Sequence, residues 1–332
     1  MVNNAMRRQR NMLILLILTL VLLVQPISSV HAGSWVFGSA SAAGGSRNYK
    51  LWVPSSYSNT TATPLVMVLH GCSQTPDTIA AGTQFNDLAD TEGFLVVYPA
   101  QSWFANFNRC WNWFEPIHQR RGSGEPAILA AVVDDIRSSY NIDSRRVYVV
   151  GLSAGGAMAV IMGATYPDMF SAVGVAAGLE YQAGTSTLSG VLAMSQGGPD
   201  PNRQGLAAYQ AMGSANRPVR VSVFHGTSDF VVYPINGEQV VTQWAQTNDY
   251  VDDGSDNDSV DDTADTTTQG QVPGGRNYIK YTYNDASGTV LLEKWTVNGM
   301  GHAWSGGSTA GSYTDPAGPD ATREFWRFFS GR

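Results

Sequence analysis

One serine of this chain lies in a sequence context that can activate it. The motif GLSAG at 151–155 has the spacing G-x-S-x-G and lies between an apolar run at 147–150 and a helix-forming stretch that begins at Ala154. Small flanking residues permit a tight strand-to-helix turn, which holds the serine in a strained conformation with its hydroxyl exposed. A plain glycine-rich turn is the alternative. The surrounding strand and helix favour Ser153 as the nucleophile of an acyl transfer, a chemistry that opens esters or amides.

A serine hydroxyl is a weak nucleophile at neutral pH, so a base must accept its proton. In the fold that uses this turn, the order along the chain is serine, acid, histidine. Only His225 and His302 of the five histidines follow Ser153. His225 ends a predicted strand, where packing explains its presence. His302, in the glycine-flanked loop GMGHAW at 299–304, is the predicted base, and a purely structural loop histidine is the alternative.

The acid that orients this histidine is predicted to be Asp229. It closes the motif HGTSD directly after the predicted strand 219–224, at the carboxyl edge of the sheet, where the sites of open α/β folds collect. A carboxylate there can orient the imidazole and stabilise its charged form. The eight aspartates of 249–265 lie in a tract too polar to be fixed beneath a histidine, and Asp315 and Asp320 follow the histidine.

Two backbone amides are predicted to form an oxyanion hole. One belongs to Ala154 and the other to Cys72, in the loop HGCSQ at 70–74 that follows the predicted strand 65–69. Cys72 and Cys110 are the only cysteines, so one disulfide between them is expected in an oxidising compartment. That bond would also hold the amide of Cys72 in place. Two free buried thiols are the alternative.

An aromatic-rich stretch, WFANFNRCWNWF at 103–114, surrounds the second cysteine. Its Trp111 and Trp113, together with Trp304 close to the predicted base, are candidates for an apolar wall that binds substrate. Ordinary core packing is the alternative for each of these side chains.

The acidic tract at 249–265 raises the question of a metal site. Hard cations such as calcium take several carboxylate oxygens, but the spacing matches no EF-hand loop. A solvated surface loop is therefore the preferred interpretation, and neither a metal nor an organic cofactor is predicted.

Apolar strands alternate with helices along most of the chain. This pattern predicts an α/β fold of the α/β-hydrolase type, with a mostly parallel central sheet and helices on both faces. Two strands near the C-terminus flank a turn and are expected to pair. The predicted strands are 49–53 at an edge, 65–69, 94–98, 147–150, 170–177, 219–224, 278–283 and 290–297, and the predicted helices are 79–92, 124–140, 154–166, 204–212 and 320–329.

The N-terminal segment has the composition of a secretory signal peptide. Three arginines precede a strongly apolar run at 12–24, and small residues permit cleavage after Ala32. Residues 1–32 are therefore expected to be removed, which leaves a single catalytic domain at 33–332, outside the cell or in the periplasm, with no membrane attachment. An uncleaved N-terminal anchor is the alternative.

The charge balance bears on the class of partner. The chain has 27 acidic and 20 basic residues, for a formal charge of −7, and loss of the arginine-bearing segment makes it more negative. Such a chain is a poor candidate for binding nucleic acid or anionic membranes. A neutral substrate is favoured.

Several motifs in order resemble the polyhydroxybutyrate depolymerase-like family of esterases, which is related to feruloyl and acetylxylan esterases. The resemblance runs from about residue 47 to 329, and the family assigns its nucleophile, acid, base and oxyanion cysteine to the positions of Ser153, Asp229, His302 and Cys72. The motifs are HGCSQ at 70–74, CWNWF at 110–114, GLSAGGAM at 151–158, HGTSD at 225–229, GMGHAWSGG at 299–307 and SYTDPAGPDA at 312–321.

This resemblance implies a secreted serine esterase that hydrolyses polyester or oligoester bonds of the poly(3-hydroxybutyrate) type. A feruloyl or acetylxylan esterase acting on plant polysaccharide is the alternative, and a non-catalytic polymer-binding protein on the same fold is a third interpretation. Family members that attack solid polymer usually carry a linker and a separate substrate-binding domain. The sequence stops thirty residues after His302, so no such domain is expected, and soluble oligomers or amorphous polyester are the favoured substrates.

Overall fold

One ten-stranded sheet organises the chain. The computed structural model describes residues 32–331, so the predicted signal peptide, apart from Ala32, lies outside the described residues. The strands are β1 (Ser34–Ala42), β2 (Gly45–Val53), β3 (Thr63–Leu69), β4 (Leu95–Pro99), β5 (Ile142–Leu152), β6 (Ala172–Ala176), β7 (Arg220–Gly226), β8 (Thr266–Gln271), β9 (Asn277–Asn284) and β10 (Val290–Val297). Their order across the sheet is β1-β2-β4-β3-β5-β6-β7-β10-β9-β8.

The six central strands run parallel, in the spatial order β4, β3, β5, β6, β7 and β10. Antiparallel strands extend the sheet at both margins. β3, β4 and β6 are buried along their whole length, as strands covered on both faces are. The predicted α/β fold with a mostly parallel sheet is therefore confirmed. A separate short ladder joins β11 (Trp304–Ser305) to β12 (Thr314–Asp315).

Helices cover both faces of the sheet and enclose two cores. Alternate residues of β3 point to opposite sides: Leu65 and Met67 belong to one core and Val66 and Val68 to the other. Within residues 32–331 no helix combines the length and apolar character needed to cross a bilayer. The helices are α1 (Pro76–Thr83), α2 (Phe85–Glu92), α3 (Gly124–Ser139), α4 (Ala154–Thr165), α5 (Thr187–Gln196), α6 (Pro201–Met212), α7 (Ile235–Asp253) and α8 (Ala321–Ser330).

The structure corrects two of the predicted elements and adds others. The strand predicted at 49–53 is not at the edge, because β1 pairs along all of β2 and takes that position. The helix predicted at 79–92 is two helices, since Gln84 adopts a left-handed conformation with φ of 56° and ends the first of them. Strands β1 and β8 and helices α5 and α7 were not predicted.

Aspartates of the acidic tract at 249–265 accept hydrogen bonds from backbone amides of the same tract. Asp249 is buried at the end of α7, and its Oδ1 accepts from the amide and hydroxyl of Ser259 at 2.6 and 2.9 Å, while its Oδ2 accepts from the amide of Asn257 at 3.0 Å. Asp253 and Asp261 accept from amides two residues ahead of them. Within the described part of the chain no group of three or more His, Cys, Asp or Glu side chains is placed to hold a metal.

Candidate active site

Ser153 occupies the sharp turn between β5 and α4. Its φ of 58° and ψ of −121° are strained for a residue with a side chain, and its amide donates to the carbonyl of Ala176 at 2.8 Å. A Cβ at Gly155 would collide with the backbone carbonyl of Leu69 in the neighbouring strand β3. The glycine therefore allows α4 to start close against the sheet, and the strand–serine–helix context inferred from the motif is the one that the structure contains.

His302 and Asp229 meet above the carboxyl edge of the sheet. Asp229 follows β7 and His302 follows β10, two adjacent parallel strands. Nδ1 of His302 lies 2.7 Å from Oδ2 of Asp229, which is fully buried. The other oxygen of Asp229 accepts from the amides of Val231 and Val232, both at 2.9 Å. The carboxylate is thus fixed on one side and bound to the imidazole on the other.

The surroundings of Asp229 favour its charged form. Burial acts to raise the pKa of Asp229, but hydrogen bonds from His225 and His302, the charge of the His302 ring and the amide of Val231 outweigh burial. The pKa of this carboxyl is therefore held well below its ordinary value. An ionised carboxylate in this position can stabilise an imidazolium formed at His302 during a reaction.

His225 is a second histidine on the same carboxylate. Its Nε2 lies 2.8 Å from the carbonyl oxygen of Val232 and 3.5 Å from Oδ2 of Asp229. The ring is 4% exposed, and its Nδ1 has no partner among the described residues. The sequence identified His225 as a packing residue. The structure shows that it also contacts the acid and the loop that follows it.

Ser153 and His302 line one cavity of about 170 Å³. Met194 of α5 and Val231, next to the acid loop, add apolar walls, and the ring of Tyr313 lies 6.2 Å from that of His302. None of these three was singled out from the sequence as a site residue. Met194 and Val231 lie outside any recognisable motif, and no role was predicted for Tyr313 in the motif SYTDPAGPDA. The remaining lining residues are Gly71, Cys72 and Leu152.

The loop predicted to hold the oxyanion lies against the serine. A Cβ at Gly71 would be 3.4 Å from the Cβ of Ser153, and Cys72 is joined to Cys110 by the expected disulfide. The amide of Ser73 donates to the carbonyl of Asn108 at 2.6 Å, a second link between the two segments. Within residues 32–331 the amides of Cys72 and Ala154 donate to no protein acceptor.

A buried polar network supports this loop from behind. Glu125, fully buried, accepts from Nη2 of Arg47 at 3.1 Å and from the amide of Asn112 at 2.7 Å. Gln101 donates to Glu125 and, at 2.8 Å, to the carbonyl of Cys110. The network therefore fixes the disulfide partner of Cys72 to the body of the protein.

His70 contributes to the same support as a neutral ring. Its Nε2 accepts from the amide of Gln101 at 3.1 Å, and its Nδ1 lies 2.8 Å from the carbonyl of Gly71. Burial, and secondarily the charge of Arg109, lowers the pKa of His70 to about 4 although the Gly71 carbonyl acts in the opposite sense. A neutral imidazole protonated on Nδ1 satisfies both contacts.

The predicted tryptophan wall is corrected by the structure. Trp111 and Trp304 have no exposed surface, since each packs into one of the two cores, and the Trp304 indole donates to Thr322 at 3.0 Å. Neither can touch a substrate. Trp113 is also largely buried but lines a groove of about 670 Å³ that shares Cys72 and Met194 with the Ser153 cavity. Periodicity could not separate these side chains, because Trp111 and Trp113 lie in a loop and Trp304 lies in a strand of only two residues.

The chain is similar to known esterases. The family model described as Esterase PHB depolymerase matches residues 47–266. Poly(3-hydroxyalkanoate) depolymerase C of Paucimonas lemoignei is 38% identical over 242 residues, which are 72% of this chain and 54% of that protein. Feruloyl esterase B of Neurospora crassa is 29% identical over 193 residues, 54% of this chain and 64% of that protein.

Among solved structures, an acetyl xylan esterase from Aspergillus awamori superposes with a TM-score of 0.63 at 24% identity, over 77% of this chain and 89% of its own. The chain spans between about half and two thirds of the length of the depolymerase and the feruloyl esterase above. It belongs to the Esterase PHB depolymerase family and has the α/β-hydrolase fold.

Proposed function

We propose that this protein is a secreted serine esterase that hydrolyses polyester or oligoester bonds of the poly(3-hydroxyalkanoate) type. The observation that carries the proposal is the pairing of His302 with the buried Asp229 at 2.7 Å, in the cavity that Ser153 also lines. The depolymerase of Paucimonas lemoignei, 38% identical, supports this substrate class.

The proposed reaction has two halves. Oγ of Ser153 attacks the ester carbonyl carbon while Nε2 of His302 takes the hydroxyl proton, and the amides of Cys72 and Ala154 bind the oxyanion. The tetrahedral intermediate collapses as His302 protonates the leaving alcohol. Water, deprotonated by His302, then attacks the carbonyl carbon of the acyl-serine. The second tetrahedral intermediate collapses as His302 returns the proton to Oγ of Ser153, which breaks the acyl–Oγ bond and releases the acid. No step in this sequence draws on a metal or an organic cofactor.

The apolar character of the site favours an aliphatic polyester. The groove beside the Ser153 cavity is lined by Phe107, Trp113, Phe114, Val191 and Met194 among others, and contains one charged side chain, Glu115. An extended polyester chain can bury its methylene and methyl groups against such a surface. A feruloyl or acetylxylan esterase remains the second candidate, since relatives carry both names.

A substrate panel separates the two candidates. Initial rates on amorphous poly(3-hydroxybutyrate), methyl ferulate and acetylated xylan are compared for the wild type and Ser153→Ala. We expect the polyester to be degraded fastest and the serine variant to be inactive on all three. Preference for ferulate or acetylxylan would support the second candidate, and no hydrolysis of any ester by the folded wild type would refute the proposal.

We further propose export after cleavage of residues 1–32, with 33–332 as one catalytic domain. The Cys72–Cys110 disulfide supports an oxidising compartment, and Gly33–Arg332 form one compact unit. N-terminal sequencing of the protein recovered from culture medium or periplasm tests this, because a new terminus at Gly33 is expected.

A further inference from the structure

We infer that a continuous apolar rim around the Ser153 cavity adsorbs this protein onto the surface of solid, uncharged polyester. This inference rests on the proposed function and extends it from the bond that is cleaved to the physical form of the substrate. The expectation drawn from the sequence favoured soluble oligomers or amorphous polyester, and the inference assigns binding of the solid form to a defined surface.

The rim consists of three segments, residues 102–108, 187–197 and 230–237. Each presents a large apolar side chain to solvent: Phe104 is 95% exposed, Leu188 72% and Phe230 77%. Further exposed apolar residues of the same segments are Trp103, Phe107, Val191, Leu192, Val231, Tyr233 and Ile235. Contiguous exposed apolar surface of this kind marks an interaction site, whereas scattered exposed residues do not.

Contacts between the segments make the rim one surface. The amide of Tyr233 donates to the carbonyl of Met194 at 2.7 Å, and the side-chain amide of Asn236 donates to the same carbonyl at 3.1 Å. On the other side, Phe107 and Val191 line the same groove. The segment 187–197 therefore joins the other two.

The rim also lacks charge. None of the residues in 102–108, 187–197 and 230–237 is Asp, Glu, Lys or Arg, although these types make up 14% of the chain. Charge lies only at the margin: Arg109 is 5.8 Å from the Trp103 ring, and Glu115 lines the groove that Phe107 and Val191 share. A charged or strongly hydrated partner would lose hydration on contact with the uncharged segments. A neutral apolar solid gains from covering the same side chains.

Continuity with the Ser153 cavity identifies the occupant. Met194 and Val231 belong to the rim and also line that cavity, so material that covers the rim is presented to the serine. A partner with no part in the reaction would cover the entrance to the Ser153 cavity and block access of the substrate. The geometry therefore points to the ester-bearing solid itself as the material that covers the rim.

Adsorption can be measured apart from catalysis in the Ser153→Ala background. Binding isotherms are measured on amorphous poly(3-hydroxybutyrate) particles. They compare the Ser153→Ala protein with a triple variant that carries Phe104→Ser, Leu188→Ser and Phe230→Ser in the same background. Because each substitution removes an apolar side chain from the contact, we expect the triple variant to partition at least about tenfold more weakly. Raising the salt concentration should not weaken binding, since no ion pair is involved.

Phe37→Ser is the matched control, because Phe37 is 69% exposed but lies on β1, outside the rim. It should leave the isotherm unchanged, and thermal unfolding checks that all variants are folded. The inference would be overturned if the folded triple variant adsorbed as strongly as its parent, or if Phe37→Ser weakened adsorption as much as the triple variant does. It would also be overturned if the parent protein were a dimer and the triple variant a monomer, since the rim would then be a dimer interface. Turnover of a soluble ester by the wild type distinguishes the two proposals: no turnover defeats the proposed function, and normal turnover without adsorption defeats only the rim.

Discussion

Nε2 of His225 lies 3.5 Å from the same carboxylate oxygen of Asp229 that binds Nδ1 of His302 at 2.7 Å. The two rings therefore approach one oxygen from different elements, His225 from the end of β7 and His302 from the loop after β10. Since His225 also contacts the carbonyl of Val232 at 2.8 Å, it is a positioning residue that fixes both the acid and the backbone beside it.

Replacing His225 should impair turnover more than binding. In His225→Leu the carboxylate loses one of its fixed neighbours, and misorientation of the His302 ring should lower kcat by up to about 100-fold with little change in KM. His225→Gln, which retains a side-chain donor, should recover part of the loss. Steady-state kinetics on a soluble ester with thermal unfolding as a control test this, and an unchanged kcat in the folded leucine variant would contradict it.

Removing the charge of Asp229 should nearly abolish activity. Asp229→Asn preserves shape but cannot stabilise an imidazolium, so we expect kcat to fall by about 10³–10⁴-fold. Single-turnover measurements of acylation with a p-nitrophenyl ester locate the loss in the chemical step. Activity within tenfold of the wild type would mean that another acid serves His302.

The same substitution should change the pH dependence of stability. The pKa of Asp229 is lower in the folded than in the unfolded chain, so its stabilising contribution is full above the unfolded value, about 4, and is lost as pH falls below it. The difference in unfolding free energy between wild type and Asp229→Asn should therefore shrink between pH 7 and pH 3. Urea titrations at both pH values measure this, and a constant difference would contradict it.

The disulfide should affect both stability and rate. Cys72 and Cys110 are 38 positions apart, and opening a loop of that length costs about 4 kcal/mol in the chain-entropy model. Because Cys72 also carries a proposed oxyanion donor, Cys110→Ser should lower kcat by up to about 10²-fold even where the variant is fully folded. If kcat were unchanged below the unfolding temperature of the variant, the disulfide would not be needed to position the oxyanion hole.

Glu180 should make the protein less stable as pH rises. It follows β6, is 2% exposed, and neither carboxylate oxygen has a hydrogen-bond partner in the described part of the chain. Burial, with a smaller contribution from the charge of Asp200, raises the pKa of Glu180 to about 9. Between its ordinary value and that pKa, the folded state holds a proton that the unfolded state has lost.

Stability should therefore fall by up to about 1.4 kcal/mol for each pH unit in this window. Glu180→Gln removes this pH dependence. The unfolding free energy of the variant, measured with urea, should therefore rise relative to that of the wild type between pH 5 and pH 9. The exposed Asp252→Asn serves as the matched control and should show no such gain. A pH-independent difference for Glu180→Gln would mean that the carboxyl is ionised in the folded protein.

The sequence anticipated the site best where backbone geometry restricts residue type. The turn at Ser153 needs glycine at 155, and Asp229 and His302 each follow a strand of the parallel sheet, so motif and order were enough to predict that all three lie at the carboxyl edge. Their catalytic roles stay predictions. The sequence could not show that Trp113 lines a groove whereas Trp111 is buried in the core. That difference depends on how loops pack, and loops have no periodic sequence pattern. A different reason hid the apolar rim: α5 has apolar residues on an exposed face, a pattern that core packing normally produces.

Covalent labelling of the nucleophile tests the central claim most directly. The protein is incubated with diethyl p-nitrophenyl phosphate, residual hydrolysis of p-nitrophenyl butyrate is measured, and the modified peptide is identified by mass spectrometry. We expect one adduct, on Ser153, in proportion to lost activity, and neither adduct nor hydrolysis in Ser153→Ala. Hydrolysis at the wild-type rate by Ser153→Ala, or inactivation through an adduct on another residue, would contradict the account.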